Sequence, residues 1–311
     1  MNGRTQKYLV AIASAALLAA PAARASAQAS AGDEGTYFIK GGTIVNPGGQ
    51  RLANTNILVR DNRIVEIGAM ASPTDAKVID ATGKYIYPGM IDANTGIGLS
   101  EINSVQTMSL RSELGEFNPH IRAIVGLNVE SELLGVTRMS GVTTVVTSPT
   151  GGMISGQAAL INTAGWNWED LSIEKDAGMV FTLPGGRGGG GRGGGGGRRG
   201  GGGTVSPTAV ADFQRFMTET KAYDDARTAG ATKLDLIYEA MRPLYKREVP
   251  AIIAASNEQS IKDAVAFGDK WGIRVVIEGG SEAYKVRQML AQKNVPVILG
   301  PIQAAPGDDV P

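Results

Sequence analysis

Apolar and polar positions alternate in short runs over the first third of the chain. In TYFIKGGTIVNPGG, Tyr37, Ile39 and the pair Ile44 and Val45 fall in runs broken by Gly41-Gly42 and Asn46-Pro47. NTNILVRDNRIVEIGA sets two apolar runs around Asp61-Asn62, turn chemistry that predicts a hairpin. AKVIDATGKYIYPG repeats the pattern around Thr82-Gly83 and predicts another strand pair. Residues from 36 to 84 therefore read as a small all-β unit.

Beyond Tyr85 the runs become continuous. YIYPGMIDAN, GVTTVVTSP, AGMVFTLPG, VPAIIAAS, IRVVIEGG and VPVILGP are β-branched or apolar throughout, which predicts six strands buried on both faces, as in a parallel sheet. Helical spacing lies between the later ones. SPTAVADFQRFMTETKAYDDA starts on Ser206-Pro207, a cap followed by an N1 proline, and carries an apolar face of Phe213, Phe216, Met217 and Tyr223. SNEQSIKDAVAFGDKWG predicts a capping box from Ser256 to Gln259, a buried side of Ile261, Ala264, Val265 and Gly268, and a stop at Gly272. Ser281 is placed to cap EAYKVRQMLAQKN, whose stripe is Val286, Met289 and Leu290. Strand–helix–strand order with right-handed crossovers predicts a parallel α/β architecture. Six strands fall short of a closed eight-stranded barrel, so the expectation is an open sheet or part of a barrel.

Composition narrows the chemistry. The 311 residues carry 30 basic and 30 acidic side chains, so no global field draws the chain to nucleic acid or acidic membranes. Cysteine is absent, which excludes disulfides, a thiolate nucleophile and Cys-ligated metal. Histidine occurs once, at His120, which excludes any site needing two imidazoles. At the N-terminus, Arg4 and Lys7 precede the apolar run Tyr8 to Ala20, too short for a normal membrane span, and Ala25-Ser26-Ala27 fits the small-x-small cleavage rule. Residues 1–27 read as a signal peptide. Cleavage removes three of the 30 basic residues and no acid, leaving 27 basic against 30 acidic in an exported, periplasmic or extracellular protein with no stable membrane span.

From Pro184 to Gly203 the chain holds 15 Gly and 4 Arg in 20 residues. Such a tract cannot join a core and reads as a disordered insertion between a strand and a helix. It lacks the aromatic side chains that would stack on single-stranded RNA, and no GK[ST] follows to cradle phosphate.

NILVRDNRIVEIG followed by KVIDATGKYIYPGMIDAN resembles the opening of the amidohydrolase superfamily, with the imidazolonepropionase-like branch closest in flavour. In that family a small β-sandwich leads into a metal-dependent (β/α)8 barrel through Pro-Gly-x-Ile-Asp-x-His-x-His. Pro88, Gly89, Ile91 and Asp92 match that run. The resemblance implies three parts: the signal segment 1–27, a sandwich over 28–84, and an incomplete TIM-type barrel over 85–311 interrupted by the tract at 184–203. It implies a zinc or iron centre that activates water against a non-peptide C–N bond. It also implies that the decisive ligands are replaced. Asn94 and Gly96 stand where the two histidines belong, and Ala254 and Gly279 stand near two later ones. No cofactor is therefore expected for this chain as written. His120 matches no ligand position and reads as a surface or packing residue. Asp92, Glu101 and Glu278 are the carboxylates that could stand in for imidazoles. Of these, Asp92 is structural by resemblance, and Glu278 is expected to face solvent.

Three functions compete. The first is an exported hydrolase of non-peptide C–N bonds acting on a small amide or cyclic substrate. The second is a pseudoenzyme that binds a ligand or pairs with a homologous amidohydrolase subunit. The third is a purely structural or nucleic-acid role through the Gly/Arg tract, the latter opposed by export and the missing aromatics.

Overall fold

The computed structural model describes residues 35–102, 109–184, 207–231 and 233–300. The expected signal segment, the body of the Gly/Arg tract and the last residues of the chain lie outside these.

The N-terminal unit is one five-stranded sheet built on β1 (Tyr37–Val45). On one side β1 pairs antiparallel with β2 (Arg51–Arg60), which pairs antiparallel with β3 (Arg63–Gly68). Asp61 and Asn62 both take positive φ, 48° and 58°, so the expected hairpin closes through a turn whose twist matches its strands. On the other side the outcome differs from expectation. β4 (Lys77–Asp80) and β5 (Tyr85–Ile86) do not form a hairpin with each other; both run parallel to β1. The turn at Thr82-Gly83 steps the chain past the bulge at Gly41-Gly42 instead of reversing it, with Ala81 N–H bonding Lys40 O and Thr43 N–H bonding Lys84 O. Phe38, Ile44, Ile57 and Leu58 are buried, whereas Ile64, Val78, Tyr85 and Tyr87 are exposed. Among the described residues there is one layer here, not two stacked sheets.

The second unit is a seven-stranded sheet in the order β12-β11-β10-β9-β8-β7-β6, and here too the expectation is corrected. β6 (Met90–Thr95) and β7 (Val142–Thr147) are parallel, as are β9 (Ser172–Phe181), β10 (Ala251–Ala255), β11 (Val275–Gly279) and β12 (Val297–Leu299) among themselves. The strand absent from the sequence reading, β8 (Ile154–Asn162), is antiparallel to both neighbours, which makes the sheet mixed. Gly151 and Gly152, both at positive φ, turn the chain back after Ser148-Pro149. A β-carbon on Gly152 would lie 2.6 Å from Gly115 O, so only glycine lets the preceding loop pass so closely.

Among the described residues the longer helices are α1 (Glu132–Met139), α2 (Pro207–Thr228), α3 (Glu258–Trp271) and α4 (Arg287–Gln292), with single helical turns at Trp168–Leu171, Leu236–Glu239 and Arg242–Tyr245. The expected stripes are the buried ones: Phe213, Phe216, Met217 and Tyr223 on α2, and Ile261, Ala264, Val265 and Gly268 on α3. At the last helix the expected stripe is also inward: Val286, just before it, and Leu290 are buried, and Met289 packs against the same core. The capping box of α3 sits one residue later than predicted. Asn257 Oδ1 accepts from Ser260 N–H at 2.9 Å, and Ser260 Oγ accepts from Asn257 N–H at 3.2 Å. Asn257 is as good an N-cap as Ser256, and its neighbour at N3 completes the pair. Ser281 makes no cap; a short 3-10 turn, Ala283–Val286, leads into α4. No helix among the described residues is long and apolar enough to cross a membrane.

Strand alternation separates two cores. Met179, Phe181, Ile253 and Ile277 face α2 and α3. Val180 and Ile252 face the other way, with Ala158, Val146, Val276 and Ile298 around them. Each fully buried Ile, Met or Phe contributes about 1.5–3 kcal/mol of transfer free energy. The inner cluster draws on six strands of the sheet, so the sheet is rolled about it.

Candidate functional site

One bond makes the rolling plain. Asn94 on β6 donates from Nδ2 to Glu278 Oε1 on β11, across 184 residues of sequence. In a flat sheet five strand spacings of about 4.8 Å would hold these side chains ~24 Å apart. Their contact means the seven strands curl into a barrel-like wall, with the pair at the end where the parallel strands finish.

Glu278 follows Val276 by two along β11 and so shares the inward face; the expectation that it faces solvent is overturned. Ala254 is its register partner on β10 and shares that face. Burial pushes the Glu278 carboxyl above its ordinary range, against the pull of Arg111 and of the Asn94 amide. Asn94 Oδ1 is buried without a hydrogen-bond partner.

Arg111 completes the site, and nothing in the sequence reading singled it out. It lies in the loop between β6 and α1, held against the β7–β8 turn. Arg111 O accepts from Thr150 N–H at 2.7 Å, and Arg111 Nε donates to Ser148 O at 3.2 Å. The side chain crosses Gly96: a β-carbon there would meet Arg111 Nε at 2.7 Å, Cδ at 2.8 Å and Cζ at 2.9 Å. Burial pushes the guanidinium below its ordinary value, opposed by the Glu278 charge. Ser148 is 3% exposed, and its Oγ has no partner.

The remaining candidates are placed elsewhere. Asp92 Oδ1 accepts from Asn94 N–H at 3.2 Å, a local brace of its own strand. Glu101 accepts from Asn128 Nδ2 and Ser131 Oγ, both at 3.0 Å, beside the start of α1. Gly279 takes φ 100° and lies against Ser256 Oγ, 2.8 Å from where its β-carbon would be. His120 is exposed. Gly89 is where the chain passes from one sheet to the other, and a β-carbon there would fall 2.1 Å from Thr143 Oγ1. Met90 N–H then bonds Gly141 O at 2.9 Å, and Ile91 is 66% exposed.

As placed among the described residues, these side chains offer no ligand set for a divalent metal. Of the four ligand-equivalent positions only Asn94 has a donor atom, its amide nitrogen is committed to Glu278, and a guanidinium covers Gly96. Among the described residues no three His, Cys, Asp or Glu side chains converge as a ligand set.

No family model matches the chain. Sequence relatives do. A dihydroorotase of Pelotomaculum thermopropionicum is 39% identical over 55 residues, 18% of this chain and 13% of that protein. A D-hydantoinase of Geobacillus stearothermophilus is 39% identical over 64 residues, 21% of this chain and 13% of its own. A Geotalea daltonii dihydroorotase is 36% identical over 84 residues, 26% and 20% respectively. The matched segments thus span 13–20% of these relatives. Among solved structures an amidohydrolase from Thermotoga maritima superposes with a TM-score of 0.73 at 24% identity, over 86% of this chain and 71% of that one. The sequence relatives and the structural neighbour are amidohydrolase-type proteins, and the fold of this chain is that of the Thermotoga maritima structure.

Proposed function

We propose that this chain is an exported amidohydrolase-type protein whose barrel mouth binds a small molecule without metal-assisted turnover. Its scaffold is one used to hydrolyse C–N bonds outside peptides, as the names of its dihydroorotase and hydantoinase relatives indicate. The observation that carries the reading is Arg111 lying across Gly96 while Asn94 bonds Glu278. A fixed guanidinium at the mouth repels a divalent cation, and a neutral amide bound to a carboxylate cannot replace two imidazoles.

A second reading, hydrolysis of a cyclic amide, is favoured by the relatives' own activities. It needs catalytic donors supplied from outside the described residues, by this polypeptide or by a homologous subunit.

One experiment separates the two. The purified protein is loaded with zinc, iron or manganese, dialysed, assayed for bound metal, and tested for ring opening of hydantoin and dihydroorotate. The proposal expects less than a tenth of an equivalent of metal and no hydrolysis above buffer. A full equivalent of metal with turnover overturns it.

A further inference from the structure

The mouth contains more than a blocked metal position. Arg111 and Glu278 attract each other, yet no nitrogen–oxygen pair between them comes within the 4.0 Å of a contact ion pair. Both are partly buried and both remain reachable from solvent. Two acceptor-capable oxygens beside them, Asn94 Oδ1 and Ser148 Oγ, are buried without partners. Buried polar atoms are left unpaired only rarely, and a cluster of them beside two separated charges is suited to hold a polar molecule.

The groups sort by what they lack. Glu278 and Asn94 Oδ1 present oxygen and need hydrogen-bond donors. Arg111 has its Nε on Ser148 O and presents its terminal N–H groups, and Ser148 Oγ–H lies on the same residue that anchors it. Ser148 follows directly on the end of β7, and its buried hydroxyl has no partner. The site therefore has a cation-seeking side and an anion-seeking side, with no net charge. Ala254, in register with Glu278, ends in a methyl group and brings no competing polar group to the carboxylate.

We propose that this mouth binds a free α-amino acid as its zwitterion. The ammonium donates to the Glu278 carboxylate and Asn94 Oδ1. The carboxylate accepts from the Arg111 guanidinium and the Ser148 hydroxyl. Both charges of such a ligand are matched, whereas an isolated anion or cation meets a like charge at one end. The inference rests on the ligand-binding reading above and gives that ligand a class.

The test is calorimetric titration of the full chain with glycine and L-alanine at neutral pH, with acetate, methylammonium and hydantoin as separate arms. Arg111→Gln and Glu278→Gln are titrated in parallel, their folding checked by circular dichroism. Bound metal is measured on the same samples. The expected result is saturable binding of the amino acids, at least ~10-fold weaker binding of acetate and methylammonium, and a loss of roughly 10-fold or more in either variant, as for removal of a charged hydrogen-bond partner. No heat with either amino acid, binding indifferent to both substitutions, or tighter binding of hydantoin overturns the zwitterion proposal. A full equivalent of metal would instead overturn the metal-free reading, so the two failures are told apart. If one variant is unfolded, the other still decides the case.

Discussion

Coupling between Arg111 and Glu278 can be measured directly. Arg111→Gln, Glu278→Gln and the double variant form a cycle read by urea unfolding. Two unit charges just beyond contact distance at an effective dielectric of about 20 attract by up to about 4 kcal/mol. Neither side chain is fully buried, so solvent screening brings the expectation to about 1–2 kcal/mol. The single changes should be unequal. Arg111→Gln leaves the Glu278 carboxylate half-buried with only the Asn94 amide for support, and should destabilise more. Glu278→Gln keeps an acceptor for Asn94 while removing a charge that burial disfavours. The double variant should recover about 1–2 kcal/mol relative to the sum of the singles, and raised salt should reduce that recovery only partly. Additivity within ~0.3 kcal/mol would refute the claim that these two groups form one site.

Glu278 also sets a pH dependence. Its folded-state value lies above that of the unfolded chain because of burial, so the folded state holds the proton more tightly. Stability should then fall as pH rises from the ordinary carboxylate value through the raised one, and Glu278→Gln should flatten that part of a stability–pH profile. Gly89→Ala should cost about 1–3 kcal/mol by chemical denaturation, and Thr143→Gly, which removes all three atoms the new methyl meets, should restore part of the loss. Asn94→His with Gly96→His should yield neither stoichiometric metal nor amide hydrolysis, because Ala254 and Gly279 still lack donors and the new side chain at position 96 must first displace Arg111; metal analysis and a ring-opening assay check this.

What the sequence made legible follows the range of each interaction. The Asp61-Asn62 hairpin, the apolar stripes of α2 and α3 and the stop at Gly272 depend on neighbours a few residues away, and the pattern states them. The Pro88-Gly89 crossing was visible as a motif; the reason for Gly89, the approach of Thr143, was not. β8 was missed because its apolar run follows two glycines with no polar break typical of a crossover, and a Gly-rich turn that reverses a strand looks like a plain loop. Thr82-Gly83 misled for the opposite reason: turn chemistry was present, but the strand that both flanks needed was β1, about forty residues earlier. At the site, the loss at Asn94 and Gly96 was readable position by position. Arg111 was not, since a single arginine in a polar loop has no periodicity, and its meaning comes only from crossing a glycine fifteen positions upstream. Glu278 was misjudged because a charge in an apolar run suggests a solvent face until its partner is known.

The bond from Asn94 to Glu278 has a kinetic consequence. Partners 184 residues apart can meet only after the intervening strands have paired, so this contact should be among the last made in folding. It should also be among the first released in local opening, because one side-chain bond bridges strands that share no backbone ladder. Amides on β6 should therefore exchange with solvent before those of β9 and β10. A molecule seated on Arg111 and Glu278 would slow that exchange, and the edge of the sheet would report occupancy of its mouth.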